Sequence, residues 1–274
     1  MARGRRIGTN AMAALFCLVW VFPVYWMVNT AFKPRGDILS PTPQFLPVHF
    51  TLGNFADALA KPGFTRDLLN SVVVTVSVVL LAIVVAFLAA TALTRFRFFG
   101  RRSFLIGVLI LQMVPVPALV IPLFLGLKSA HLLNNLFGLT LTYVALVLPF
   151  TIWTLRGFLH GIPVELEEAA MVDGATRGRI MGSVLLPLVL PGLIATSVFA
   201  FITAWNDFLF AYVIMKDQSG YTLPVWLVSF STSTGTDYGG LIAASTLFAL
   251  PVVVFFALVQ RHLVEGMTAG AVKG

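Results

Sequence analysis

Six stretches of this chain are too long and too continuously apolar to sit inside a soluble globule. They run from about Ala11 to Ala31, Asn70 to Leu93, Ser103 to Leu127, Leu136 to Leu155 and Pro191 to Met215, with a last one ending near Gln260. A hydrocarbon core about 30 Å thick takes about 20 residues of helix, and with no water to satisfy the backbone only helices or closed barrels cross it. Uninterrupted runs, not alternating ones of about ten residues, select helices. Composition agrees, because 58% of the 274 residues are hydrophobic, 11% are charged and the mean hydropathy is +0.94, which leaves too little polar surface for a water-facing shell. The expected fold is all-α and integral to a membrane, with six transmembrane helices.

The segments between the runs set the organisation. A tail, residues 1–10, carries Arg3, Arg5 and Arg6 ahead of the first span, 11–31. That span is long enough to cross and is followed by no clean small-x-small cleavage pattern, so it reads as a retained helix and not a signal peptide. Residues 32–68 are polar enough to leave the membrane, and Pro34, Pro41, Pro43, Pro47 and Pro62 prevent a long helix there, so an ordered external segment over the helix ends is expected. The remaining spans occupy 69–260, and 261–274 form a second tail. Pro115, Pro117 and Pro122 should kink the third span, and the carbonyls they free need neighbouring helices, which points that span toward the bundle interior. Cys17, the only cysteine, reads as a small buried hydrophobe, with no disulfide framework and no thiolate metal cage.

The interval 157–190 between apolar runs carries Glu165, Glu167, Glu168, Asp173, Arg177 and Arg179. Pro163 suits a first helical turn, and Glu165, Glu167 and Glu168 place negative charge at that helix's positive end. Gly174 can end the helix, and Asp173 is positioned to cap a second one running to Pro187. The expectation is a compact helix–turn–helix knob with a small-residue tip, shaped to enter a partner's groove. Placing this loop in the cytoplasm puts twelve lysines and arginines inside and six outside, the bias that sets topology, and gives cytoplasmic termini. The net charge of +7 is therefore topological and does not mark a nucleic-acid partner.

Catalytic chemistry is largely excluded. There is no G-x-x-x-x-G-K-[ST] phosphate loop, so energy must come from another subunit or an ion gradient, and no G-x-S-x-G elbow marks a hydrolase. His49, His131, His160 and His262 lie far apart, with no metal-ligand spacing. No cofactor and no catalytic residue is expected. Asp207 is the one ionisable residue well inside an expected span, and with Asn206 it is a candidate for the translocation path or a subunit seam, as are Pro115, Pro117 and Pro122. Sixteen residues beyond Pro191, it lies roughly 24 Å along the helix, in the outer leaflet.

Glu168, Ala169, Ala170, Asp173, Gly174, Ala175, Leu186 and Pro187, with Val184 where isoleucine is usual, resemble the cytoplasmic EAA loop of permease subunits of bacterial ABC importers. Phe32-Lys33-Pro34, Asn54-Phe55, Asn70-Ser71 and Trp205-Asn206-Asp207-Phe208 are similar to landmarks of the carbohydrate-type, maltose-like permeases, and Gly266 to Gly274 is similar to their tail. The resemblance implies a chain in the bacterial cytoplasmic membrane that pairs with a second permease, two ATPase subunits and an extracytoplasmic sugar-binding protein. It implies that Glu168, Ala169, Ala170, Asp173, Gly174, Ala175 and Pro187 couple to the ATPases and catalyse nothing, while alternating access moves a sugar. The competing classes are an ion-coupled secondary transporter with Asp207 as carrier, which lacks midplane ionisable groups and internal repeats, and an intramembrane enzyme, which lacks a nucleophile with a base.

Overall fold

The computed structural model describes residues 2–233 and 235–271, with side chains for 8–233 and 235–260. The helices are α1 (Ala2–Ala31), α2 (Arg35–Ile38), α3 (Gly53–Ala60), α4 (Phe64–Arg95), α5 (Arg101–Met113), α6 (Val120–Ser129), α7 (Leu136–His160), α8 (Glu165–Val172), α9 (Arg177–Ile180), α10 (Leu186–Asn206), α11 (Leu209–Ile214), α12 (Leu223–Leu227) and α13 (Tyr238–Ala271). Two short antiparallel strands, Ser231–Thr232 and Gly235–Thr236, form a hairpin before α13. Among the described residues five helices are long and apolar enough to cross a membrane, and a bent pair makes a sixth candidate. The side chains of the tail resemblance, Gly266 to Gly274, and of His262 lie outside the described residues.

The bent pair corrects the third span. Arg101–Met113 and Val116–Ser129 meet at 105°, a break and not a kink. Val114 is extended at φ −71°, ψ 125°, because the ring of Pro115 disfavours helical backbone in the residue before it, and Pro117 removes another donor two residues on. Pro115, Pro117 and Pro122 are all exposed, so the expected interior position is not realised within this chain. Cys17 is exposed too, because residues 8–25 of α1 bury nothing in this chain.

The chain resolves into two compact units, residues 1–65 with 226–251, and residues 66–225 with 252–274. In the larger unit, α4 presents Val74, Val78, Ala82, Ala86 and Ala90, all at most 1% exposed, at strict four-residue spacing. On α7 the matching row is Leu139, Tyr143, Val147, Thr151, Leu155 and Leu159. The close helix approach is that of α10 to α7, with Gly192, Ala200 and Ala204 on the buried face, and the α4 row joins the same apolar clusters through its side chains. Two apolar clusters result, one around Val74, Tyr143, Ala204 and Phe210, the other around Ala86, Leu155, Ile180 and Val189. Thr142, Thr151 and Thr196 in the packed helices return their hydroxyls to the carbonyl four residues back, at 2.9 Å each, so few polar groups are left bare.

In the smaller unit side-chain bonds fasten the segment after α1. Asn54 donates to the carbonyls of Ala31 (2.9 Å) and Lys33 (2.7 Å), satisfying orphan acceptors at the end of α1. The Lys33 ammonium lies over the Trp26 ring and donates to the Gln44 carbonyl at 2.6 Å. Burial lowers its pKa from the ordinary lysine value, and the nearby Asp37 charge opposes the shift. Phe32 packs on Phe50 and Phe55, Trp226 donates to the Pro62 carbonyl, and Asp237 caps α13 through the amide of Gly240.

Candidate functional site

The charged interval folds into two legs. The first, α8, starts at Glu165 with Val164 as its N-cap, two residues later than Pro163 suggested. Glu165, Glu167 and Glu168 occupy its first turn, beside unsatisfied N–H groups. At its far end the amide of Gly174 donates to Met171 O (3.0 Å) and that of Ala175 to Ala170 O (2.9 Å). These two bonds are a Schellman closure, which requires left-handed backbone at the residue after the C-cap, and Gly174 supplies it at φ +81°. The closure brings together Ala170 and Ala175, both half-buried against the second apolar cluster, so their small side chains have a packing reason.

This turn corrects the role expected of Asp173. It is the C-cap of α8, and Thr176 caps the next helix, accepting from the Arg179 amide at 3.4 Å. Gly174 and Ala175 are consumed in closing α8, so no new helix can begin before them. The second leg also differs from expectation, since it neither stops at Pro187 nor waits until Pro191 to enter the apolar span. Residues 177–206 run on as one span through a π-helical turn at Met181–Leu185. Pro187 falls in the turn just after it, where a widened helix makes room for a ring that would break regular geometry. Gly192 then lets α10 touch α7, because a Cβ there would lie 2.6 Å from the ring of Phe158.

One buried ion pair anchors the knob. Arg95, at the end of α4, donates through Nε to Glu167 Oε1 at 2.5 Å and through a terminal nitrogen to the Ile162 carbonyl at 3.0 Å. Both side chains are about nine-tenths buried, at 11% and 10% exposure. In the sequence Glu167 reads only as dipole charge. Its place on the same helical face as Ala170 was the signal that it points inward. Glu168, Ala169, Asp173 and Gly174 are exposed, beside Leu166, Met171 and Val172, the last 88% exposed. The tip therefore offers carboxylates and apolar side chains on a helix fastened to the bundle from behind.

Asp207 does not sit inside a continuous span. It occupies the break between α10 and α11, where Oδ1 accepts from Tyr143 Oη (2.8 Å) and from the amides of Phe210 (3.0 Å) and Ala211 (3.3 Å). Its carboxylate caps α11 from outside, and Asn206, exposed, returns its amide to the Ile202 carbonyl. Asp207 and Asn206 lie at the break between α10 and α11, and Pro115 and Pro117 at the break between α5 and α6. Pro122 lies inside α6, whose Val120 and Leu123 pack against the same apolar cluster as Phe210 and Ala211. Among the described residues no three His, Cys, Asp or Glu side chains converge as a metal cluster would require.

Residues 79–269 match a family described as binding-protein-dependent transport system inner membrane component. The diacetylchitobiose uptake system permease protein DasC of Streptomyces coelicolor is 46% identical over 98% of this chain and 98% of its own length. The trehalose transport system permease protein SugB of Mycobacterium tuberculosis is 33% identical over 93% of each chain. A chain of a bacterial ABC transporter involved in import of the acidic polysaccharide alginate superposes with a TM-score of 0.82 at 23% identity, covering 94% of this chain and 96% of that one. A second structure, of a bacterial alginate ABC transporter in complex with an alginate pentasaccharide-bound periplasmic protein, superposes with a TM-score of 0.68 at 15% identity over 93% of each.

Proposed function

The chain belongs to the family of binding-protein-dependent transport system inner membrane components, and from that premise we propose that it forms half of an ATP-driven pathway for a carbohydrate. The diacetylchitobiose and trehalose permeases among its relatives support a sugar as cargo. The partners in this reading are a second permease, two ATPase subunits and an extracytoplasmic sugar-binding protein. ATP hydrolysis belongs to the ATPases, and the knob and both termini face the cytoplasm, as the bias of lysine and arginine favours.

The observation that carries the proposal is the construction of the knob. An exposed tip of Glu168, Ala169, Asp173, Gly174, Met171 and Val172 is joined to two spans, covalently to the 177–206 helix and by the Arg95–Glu167 pair to α4. A displacement imposed on the tip therefore enters both helices as rigid-body motion, the input alternating access needs. Ala170, Ala175 and Pro187 act by shaping the closure and the bend. Asn206, Pro115, Pro117 and Pro122, exposed at the two helix breaks, remain the proposed lining or seam. An ion-coupled carrier built on Asp207 is less favoured, because that carboxylate already accepts three hydrogen bonds in a capping role.

The test is to tag the chain in its host, extract it in mild detergent and identify the co-purifying proteins by mass spectrometry. Two ATPase copies and a second permease are expected. A chain that emerges alone and moves solute in liposomes without ATP overturns the reading. Gly174→Asp is expected to abolish uptake while the protein stays in the membrane, and normal uptake by that variant would sink the coupling role.

A further inference from the structure

Behind the knob lies a cavity of about 500 Å³ whose charge the coupling role does not use. Its wall is built by the end of α4, the turn that follows it, and the two legs. Arg95, Arg97, Arg101 and Arg177 line it, and the only carboxylate in the lining is Glu167, already paired with Arg95. Among the described residues Arg97, Arg101 and Arg177 make no ion pair. Arg101 reaches only the Phe96 carbonyl at 3.4 Å, and the Arg177 guanidinium lies 5.2 Å from the Phe96 ring. The cavity therefore carries an excess of three positive charges. Thr91, 2% exposed, also lines it, and its hydroxyl is buried without a hydrogen-bond partner. A water's share of liquid volume is about 30 Å³, so the space is far larger than one bound water needs.

We propose that this cavity binds the phosphate group of an anionic phospholipid, held by Arg97, Arg101 and Arg177, with its acyl chains leaving along the apolar surface beside the turn. Arginine forks match phosphate oxygens, and basic recesses at the ends of transmembrane helices are where acidic headgroups are held. The lipid, in preference to a dissolved phosphate ion, is indicated by the turn itself. Phe98 and Phe99 project from it, 47% and 105% exposed, with Phe104 close by at 47%, an apolar fringe next to the charges at the end of a membrane span. A headgroup seated there bridges the 96–101 turn to the second leg, so the knob is tied to the bilayer surface as well as to α4.

The test uses the full transporter complex in nanodiscs of phosphatidylcholine doped with phosphatidylglycerol, with bound lipid counted by native mass spectrometry. Phosphatidylglycerol is expected to be retained in preference to phosphatidylcholine, and R97Q/R177Q to lower that retention by about tenfold. R97K/R177K should keep most of it, and R102Q, just outside the cavity lining, should behave as wild type. Equal retention of both lipids, an undiminished count in R97Q/R177Q, or a loss as large in R102Q overturns the proposal. Displacement of the lipid by excess inorganic phosphate would overturn the lipid assignment in favour of a soluble ion. Because lipid retention is read without transport, failure here is distinguishable from failure of the coupling role.

Discussion

The two ends of the larger unit are closed by different chemistry. At the end opposite the knob, neutral side chains lace the loops to one another. Asn134 accepts from the amides of Lys216 and Asp217 at 3.1 Å each, donates to the Asp217 carboxylate, and donates its own amide to Ile214 O. Asn70 donates to the carbonyls of Ser219 and Tyr221, and Ser71 accepts from the amide of Leu223 at 2.7 Å. At the knob end one buried ion pair adds to the packing of Ile162, Ala170 and Ala175, and the tip is left bare. Many short bonds to backbone hold loops in one arrangement. One strong pair on a helix leaves a rigid piece with an uncommitted surface, which is what a coupling element requires.

Four substitutions break or sharpen this contrast. The largest loss of stability is expected from Glu167→Ala, which strands Arg95 in a buried site at a cost of roughly 3–5 kcal/mol. Limited proteolysis within 163–176 should accelerate, and uptake should fall further than the amount of protein does. Asn134→Ala comes next. It removes three exposed side-chain bonds worth about 0.5 kcal/mol each and puts alanine at φ +55°, which costs about 1 kcal/mol more. Thermal denaturation in detergent should drop by several degrees, while uptake per folded molecule stays close to wild type. If uptake per molecule instead collapsed, the far end would also be part of the drive and the contrast would fail.

Gly174→Ala is expected to cost about 1 kcal/mol, because a side chain must adopt left-handed backbone although the space around it is empty. Thermal stability should barely move, and ATPase activity should become less dependent on the binding protein. Val172→Ser should be the mildest, within about 0.5 kcal/mol for so exposed a position. Its effect is sought instead in co-purification of the ATPases, and unaltered recovery would exclude Val172 from the docking surface.

Local signals carried far in the knob. Three glutamates in the first turn, a glycine able to go left-handed and two alanines read as a helix ending in a turn, and the Schellman closure is that turn. What they did not show was how many residues the closure uses, so the second cap moved from Asp173 to Thr176. The prolines were similarly ambiguous. Pro115 and Pro117 break a helix by 105°, while Pro149, Pro191 and Pro251 are carried inside helices and Pro187 follows a π turn within one span. A proline announces a lost hydrogen bond, but neighbouring packing decides whether the helix bends, widens or stops.

By itself the sequence determined that this is a helical membrane chain and where its charged loop turns. Those follow from run length against bilayer thickness and from backbone preferences that act over a few residues. Only the tertiary structure decided that Arg95 meets Glu167, that Asn134 clasps Asp217, and that Tyr143 reaches an Asp207 busy capping a helix. These partners lie 64 to 83 residues apart, and no local preference specifies which buried charge or amide will meet which. That is settled when α7 packs against α10 and the two apolar clusters gather α4 to them, carrying the helix ends together.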